Sequence, residues 1–206
     1  MLWMMGRPRV HDQTTANALL RAAERIVDAN GVDALSVRRV ARAVGTTTRA
    51  VYSVFGSKDA LVAALGRRAF EILERELEAL PVSADPADDL IQAGLMFRRF
   101  AREHPSLLQI GFQHVPIGSE VAADFRPTQS RAFAGLIARV ERLEEAGGLG
   151  RRPVMDAVFA FDALTEGLAA VEIRRVLPRG REEVLWRYAL ESLVRGFARG
   201  GGNSTG

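Results

Sequence analysis

Apolar residues along this chain recur at intervals of three and four positions, and Gly or Pro separates the periodic stretches. This spacing places apolar side chains on one face of an α-helix, while the alternation typical of strands is nearly absent. Gly and Pro between such stretches favour breaks in helical structure. The pattern therefore predicts an all-α protein.

Capping residues sharpen the helix boundaries that the periodicity predicts. Ser36, Ser57 and Asp85 each stand before a periodic stretch, where a short polar side chain can accept hydrogen bonds from free backbone N–H groups. Gly31 and Gly45 follow two other stretches, as expected at a helix C-terminus. The pattern predicts nine helices, at about 15–30, 37–44, 47–55, 58–80, 86–103, 106–112, 127–146, 153–177 and 181–199, with 113–126 the least regular segment.

Composition excludes several classes of protein. The chain has 206 residues and no cysteine, which rules out disulfides, thiolate metal sites and cysteine nucleophiles. No apolar run is long enough to cross a bilayer, and the apolar start lacks the basic flank of a signal peptide. We therefore expect a cytoplasmic protein without membrane partners.

Charge is divided unevenly along the chain. Residues 1–68 contain eleven Arg or Lys and five Asp or Glu, whereas residues 69–206 contain seventeen and twenty. A basic front joined to an acidic rear is typical of a module that binds a polyanion, although a chance fluctuation of surface charge gives the same count. The asymmetry alone favours nucleic acid only slightly.

Two short predicted helices, 37–44 and 47–55, are separated by Gly45 and Thr46. Neither has an apolar stripe wide enough to fold alone, which indicates a helix-turn-helix packed on the first helix. The second helix carries hydrogen-bonding side chains opposite Val51 and Phe55, a layout suited to base edges in the major groove. An ordinary solvated helix face has the same polarity. The exposed polar side chains are those of Thr47, Thr48, Arg49, Tyr52 and Ser53.

The segments SVRRVA at 36–41, Val44-Gly45 and VYSVFGSKDAL at 51–61 resemble the signature of TetR-family regulators. The resemblance covers residues 12–66, and beyond them only the run of helices and the chain length are similar. It implies a flexible basic arm at 1–11, a helix-turn-helix domain at 12–57, a ligand-binding and dimerisation domain at 58–199, and a disordered tail at 200–206. Val54 stands where many members have His, so we assign it no DNA contact.

The resemblance also implies a role for individual residues. Tyr52 and Lys58 match phosphate-contacting positions, and Ser36 and Arg38 match the start of a helix that lies against the DNA backbone. Thr48, Arg49 and Ser53 match base-reading positions. Only Arg49 can form a bidentate pair with guanine, which is worth about 1–3 kcal/mol of discrimination.

Arg7 and Arg9 lie in a Gly-Arg-Pro-Arg segment before the first helix. An arm of this kind can enter a narrow minor groove. A frayed basic terminus without a fixed site is an equally good interpretation.

The last two predicted helices are more apolar than a monomer of this size requires, and Gly167 in the helix interior indicates close packing. The resemblance implies that these helices pair with their copies in a homodimer. Burial inside a single chain is the alternative. The residues expected at the dimer interface are Gly167, Leu168, Val171, Leu193 and Phe197.

TetR-like proteins usually enclose an apolar cavity between the fourth helix and the C-terminal helices. The expected lining consists of aromatic residues with a few polar anchors, and for each aromatic residue simple core packing is the competing interpretation. The candidates are Phe97, Phe100, Gln109, Phe112, Gln113, Phe133, Phe159 and Glu166. Their pattern indicates a small apolar effector of unknown identity and no cofactor.

These observations favour a ligand-responsive repressor that binds a pseudo-palindromic operator in double-stranded DNA as a homodimer. An activator with the same DNA-binding half remains open, as does a helical adaptor that binds another protein through residues 58–80. An enzyme is disfavoured, because His11, His104 and His114 show no metal-ligand spacing and no phosphate loop or nucleophile elbow is present.

Overall fold

The computed structural model describes residues 10–114 and 119–199. Within these ranges the chain forms nine α-helices and no strand, as predicted. The helices are α1 Val10–Asn30, α2 Val37–Val44, α3 Thr48–Phe55, α4 Lys58–Ala79, α5 Pro86–Glu103, α6 Pro105–Leu108, α7 Glu120–Glu145, α8 Val154–Ile173 and α9 Glu182–Arg199. A 3₁₀ turn at Val32–Ala34 and a π-helical turn at Gln109–His114 complete the described secondary structure.

The chain divides into two compact units. Unit 1 comprises residues 1–68 and 106–125, and unit 2 comprises 69–105 and 126–206. In unit 1, α1 packs against α2 and α3, and the π-helical turn packs against the 3₁₀ turn. The core of unit 1 includes Leu19, Ala23, Val27, Leu35, Val40, Val51 and Leu61.

In unit 2, α5 packs against both α8 and α9. The packing of α5 on α9 is close, because a Cβ atom on Gly94 would lie 2.6 Å from Cδ2 of Leu190. Arg98 of α5 joins α8 through Glu172, with its Nη2 2.9 Å from Oε1 and its Nε 3.0 Å from Oε2. The fully buried Trp186 of α9 lies in the same core.

A buried carboxylate ties the loop after α4 to α7. Asp89 accepts hydrogen bonds from Arg142 Nη1 at 2.6 Å and from the Ser83 backbone N–H at 3.1 Å. Burial alone raises the pKa of Asp89, but the hydrogen bonds from Arg142 and Ser83 outweigh it and leave the pKa below the usual value. The carboxylate is therefore ionised at neutral pH.

The structure corrects several predicted helix boundaries. α1 begins at Val10 rather than at about residue 15. α7 begins at Glu120 rather than at residue 127, and Pro127 lies inside it. Ser119 caps this earlier start, its Oγ accepting from the Ala122 N–H, and Phe125 is buried in unit 1. Burial of Phe125 stabilises the turn before a proline that would otherwise be expected to begin the helix.

α8 ends at Ile173, earlier than the predicted residue 177. Arg175 has a positive φ of 57°, and the Val176 N–H bonds back to the Val171 carbonyl. This pattern closes a helix C-terminus, although Arg rather than Gly adopts the left-handed conformation. Val176, which lies within the predicted helix, is consequently exposed outside the observed one.

No helix in the described part of the chain is long and apolar enough to span a membrane.

Candidate nucleic-acid interface

The turn between α2 and α3 is fixed by Gly45. This residue has φ 71° and ψ 31°, a left-handed conformation that glycine adopts without steric cost. Its N–H lies 3.2 Å from the Arg42 carbonyl, and the Thr46 N–H lies 2.9 Å from the Ala41 carbonyl. The turn therefore sets the direction in which α3 leaves α2.

α3 is anchored on one side and open on the other. Val51 is 1% exposed and packs into the core of unit 1. Thr48, Arg49 and Ser53 are exposed, and Tyr52 is 51% exposed, so its ring is not taken up by packing. The structure thus brings these four predicted contact residues onto the solvent side of one short helix.

Ser36 and Thr47 cap helices α2 and α3. Ser36 Oγ accepts from the Arg39 N–H at 3.3 Å, and Thr47 Oγ1 accepts from the Ala50 N–H at 3.2 Å. Thr47, predicted as the first residue of the helix, instead precedes it. Each hydroxyl hydrogen is still available to donate to a phosphate oxygen.

Basic side chains lie along α2. Arg38 is exposed at the start of α2, and Arg42 is exposed in its last turn. The neighbouring Arg39 donates to the Ala34 carbonyl at 3.3 Å. Arg42 was missed as a candidate contact, although its position four residues after Arg38 puts both on one side of α2.

Lys58 begins α4 immediately after its cap. Ser57 Oγ accepts from the Ala60 N–H at 3.0 Å, and Lys58 is exposed. A lysine beside free backbone N–H groups is unfavourable for the helix dipole but adds to their attraction for an external anion. The arrangement is suited to a phosphate group. Arg7 and Arg9, the predicted minor-groove contacts, lie outside the described residues.

Comparison with protein families decides what this arrangement represents. The pattern that defines "Bacterial regulatory proteins, tetR family" matches residues 19–65. The pattern of the "Tetracyclin repressor-like, C-terminal domain" matches residues 90–193, half of the chain. The chain belongs to the TetR family. It is a transcriptional regulator with an N-terminal helix-turn-helix that binds DNA.

Solved structures share the TetR fold along nearly the whole chain. A protein from Rhodococcus sp. RHA1 is 22% identical with a TM-score of 0.76, covering 89% of this chain and 95% of its own. The TetR-family regulator PfmR from Thermus thermophilus is 24% identical with a TM-score of 0.70, covering 86% and 97%. A single-residue variant of TetR from Acinetobacter baumannii, solved with minocycline, is 21% identical with a TM-score of 0.63, covering 90% and 97%. Among curated proteins, none matches the sequence significantly.

The residues predicted to line a TetR-type cavity have differing surroundings. Phe100 is fully buried in unit 2, with its ring centroid 6.1 Å from that of Phe97 and 5.7 Å from that of His104. Phe133 is half-buried in the same unit. Phe159, in contrast, is 60% exposed, so it lines no enclosed cavity of the described chain. Its position on the outward side of α8, opposite buried Phe161, explains the error.

The predicted anchors of the π-helical turn belong to unit 1. Gln109 is exposed and Phe112 is half-buried, while the side chain of Gln113 lies outside the described residues. The turn follows α6, where the Ser106 N–H donates to Asp28 Oδ1 of α1 at 3.1 Å. The segment that carries these anchors is therefore tied to the first helix of the DNA-binding unit.

Glu166, the predicted acidic anchor, forms a pair with Asp162 one turn earlier on α8. Burial, the charge of Asp162 and a hydrogen bond to Asp162 raise the pKa of Glu166 to about 7. Burial also raises the pKa of Asp162 to about 6, against a lowering by its hydrogen bond with Glu166. Asp162 was not predicted, although two acids four residues apart on an apolar helix are a recognisable pattern.

The residues predicted at the dimer interface divide into two groups. Gly167 is exposed with open space at its Cβ position, and Leu168, Val171 and Leu193 are half-buried. Phe197 is 1% exposed and lies beneath the guanidinium of Arg152, so it offers no surface to a second copy. The exposed large apolar side chains on these two helices are those of Met155, Phe159, Ile173, Val184 and Tyr188.

Proposed function

We propose that this TetR-family regulator is a repressor that binds a pseudo-palindromic operator as a homodimer and is released by a small, largely apolar effector. The observation that carries the DNA-reading part is the exposed polar side of α3, with Arg49 beside Tyr52 and with Lys58 at the start of α4. Base-reading and phosphate-binding groups together suit a recognition helix in the major groove. A regulator of this kind would work in the cytoplasm.

The homodimer is supported by apolar surface on α8 and α9. Phe159 is 60% exposed, Val184 59% and Tyr188 70%, although all three lie on helices that are otherwise packed into a core. Exposed apolar side chains on two neighbouring helices favour a protein–protein interface. A two-fold dimer presents two recognition helices and so explains a two-fold operator.

Effector release is supported by the position of the π-helical turn. Gln109 and Phe112, two proposed effector contacts, belong to unit 1 together with α1, α2 and α3. The bond between Ser106 and Asp28 joins their segment to α1. A ligand that binds this segment more tightly in one of two conformational states would shift the DNA-binding unit toward that state. The size of the shift is set by the difference between its affinities for the two states. The relative from A. baumannii, solved with minocycline, also shows a small molecule bound to this fold.

Two alternatives predict different behaviour. An activator would share the DNA-binding residues and differ only in where its operator lies relative to the promoter. A helical adaptor would need no base preference. The exposed arginines of α2 and α3 favour DNA over the adaptor.

Selection of bound sequences from random duplex DNA tests the DNA-reading proposal. We expect enrichment of a short inverted repeat, with affinity that falls steeply as salt rises because phosphate contacts release counterions. Placing the selected operator in a reporter promoter and measuring expression with and without the protein then distinguishes repression from activation. Recovery of sequences without a common motif would contradict the proposal, and an asymmetric single half-site would contradict the dimer.

Effector release is tested separately. Hydrophobic compounds that raise the melting temperature of the protein should lower its affinity for the selected operator, with a coupling of about 1–3 kcal/mol. Compounds that stabilise the protein without affecting operator affinity would show that binding is not linked to release.

A further inference from the structure

Helix α8 carries a stripe of partly exposed side chains beside the face that packs into unit 2. Its members follow one another at intervals of four, three, four and seven positions, the spacing of one seam of a coiled coil. They are Met155, Phe159, Asp162, Glu166 and Ile173, together called the α8 stripe. Met155 is 41% exposed, Phe159 60% and Ile173 42%, whereas the two acids are half-buried. Two carboxyl groups therefore lie in the middle of an exposed apolar stripe.

Asp162 and Glu166 are joined by a hydrogen bond between their side chains. Such a bond needs a proton on one of the two carboxyl groups, because an ionised carboxylate only accepts. Burial raises the pKa of Asp162 to about 6 and that of Glu166 to about 7. The pair therefore gains or loses protons close to neutral pH.

The helices packed against α8 supply no cation to this pair. These helices are α5 and α9, and their arginines include Arg98 and Arg102, both paired with Glu172, and Arg195, paired with Glu191. Within the described chain no ion pair joins Asp162 or Glu166 to either helix, and their pKa shifts arise from burial and from each other. The titratable side chains considered on α5 and α9 are those of Asp88, Asp89, Arg98, Arg99, Arg102, Glu103, Glu182, Glu183, Arg187, Tyr188, Glu191 and Arg195.

A two-fold interface brings identical surfaces together, so a second copy of the α8 stripe supplies two further acids and no base. Carboxylates removed from water without a cationic partner are costly, whereas protonated carboxyl groups can hydrogen-bond to one another. On the basis of the homodimer inferred above, we propose that the α8 stripes of the two copies pack together and that Asp162 and Glu166 enter this interface in protonated form. The dimer is then controlled by pH.

Association of this kind takes up protons, so the dimer should be tighter at low pH. Its carboxyl pKa values lie above the monomer values of about 6 and about 7. The stabilisation is therefore fully present below about pH 6 and is lost as pH rises through the dimer values. Uptake of one proton per dimer raises the dissociation constant about tenfold per pH unit. We expect the dimer to be at least about tenfold weaker at pH 8 than at pH 6.

Analytical ultracentrifugation of the full-length protein at pH 6 and pH 8, at equal ionic strength, measures this dissociation constant. Circular dichroism at both pH values checks that the helices remain folded. The double variant Asp162→Asn, Glu166→Gln is neutral throughout and should dimerise equally well at both pH values. The double variant Glu78→Gln, Glu144→Gln removes two exposed acids of α4 and α7 in the same unit and should keep the wild-type dependence.

Phe159→Ala tests the apolar part of the α8 stripe separately. It shortens an exposed side chain, so the fold should be retained while the dimer weakens by a similar factor at both pH values. Undiminished association of this variant would overturn packing of the two stripes. A wild-type dimer whose affinity is constant or increases from pH 6 to pH 8 would overturn the link to protons and leave the homodimer intact. A wild type that is monomeric at both pH values would overturn the homodimer as well.

Discussion

The ring of Phe125 occupies the space next to Gly66. A Cβ atom on Gly66 would lie only 2.7 Å from Cδ1 of Phe125. Phe125 belongs to α7 and is 2% exposed, and Gly66 lies in the interior of α4. Glycine inside a helix costs about 1 kcal/mol against alanine, so its presence needs a compensating contact. The close approach of α4 and α7 within unit 1 provides that compensating contact.

Gly66→Ala should therefore destabilise the protein, although alanine is the better helix former. Overpacking of a tight contact typically costs about 1–3 kcal/mol, which exceeds the gain in helix propensity. Thermal or denaturant unfolding measures the change. Adding Phe125→Leu should recover part of the loss, since the smaller side chain makes room. A higher stability of Gly66→Ala alone would show that the ring moves aside without cost.

Tyr188→Glu should yield a folded monomer. Tyr188 is 70% exposed on α9, so the substitution disturbs no core, but it places a charge in the proposed interface. Light scattering should show half the wild-type mass, and operator affinity should fall because each molecule then binds one half-site. Val82→Glu, at another exposed apolar position in unit 2, is the matched control and should stay dimeric. A monomeric wild type, or a dimeric Tyr188→Glu, would contradict the interface.

The pair Asp162 and Glu166 predicts a dependence of stability on pH. Their pKa values in the folded protein, about 6 and about 7, lie above those of the unfolded chain, so folding favours the protonated forms. The resulting stabilisation is fully present below the unfolded pKa values and is lost as pH rises through the folded ones. The protein should lose stability between about pH 5 and about pH 8.

Glu166→Gln isolates this contribution. Glutamine is neutral at every pH and can still donate to Asp162, so the decline in stability above about pH 5 should become smaller in the variant. Glu191→Gln provides the control, since its partner Arg195 is exposed and their ion pair contributes little. If the free energies of unfolding of wild type and Glu166→Gln changed in parallel across this pH range, Glu166 would be ionised throughout it.

Local sequence patterns were sufficient to predict most helices but not the packing around them. The caps at Ser36 and Asp85 and the turn at Gly45 depend on neighbouring residues, and their predicted helices have the expected boundaries. The start of α7 was missed because burial of Phe125 outweighs the local preference to begin a helix at Pro127. Arg175 ends α8 in the left-handed conformation, which arginine rarely adopts, so the local sequence did not indicate this end.

Prediction of the candidate sites was limited in the same way, because it depended on which side chains are buried. The exposed residues of α3 were predictable because Val51 fixes which side of this short helix is buried. Phe159 and Phe197 were assigned to the wrong surroundings, since periodicity identifies an apolar face without identifying what covers it. The burial of Arg139 had no sequence pattern, because its Nη2 donates to carbonyl groups about sixty residues away along the chain.

The central claim is that α3 reads base sequence while Lys58 binds the backbone, and base preference in two variants tests it most directly. Sequences bound by Arg49→Ala and by Lys58→Ala should be selected from random duplex DNA beside those of the wild type. We predict that Arg49→Ala loses preference at one position in each half-site, worth about 1–3 kcal/mol, whereas Lys58→Ala binds all sequences more weakly with its preferences unchanged. A uniform loss of affinity in both variants, with the preferred sequence intact, would contradict base reading by Arg49.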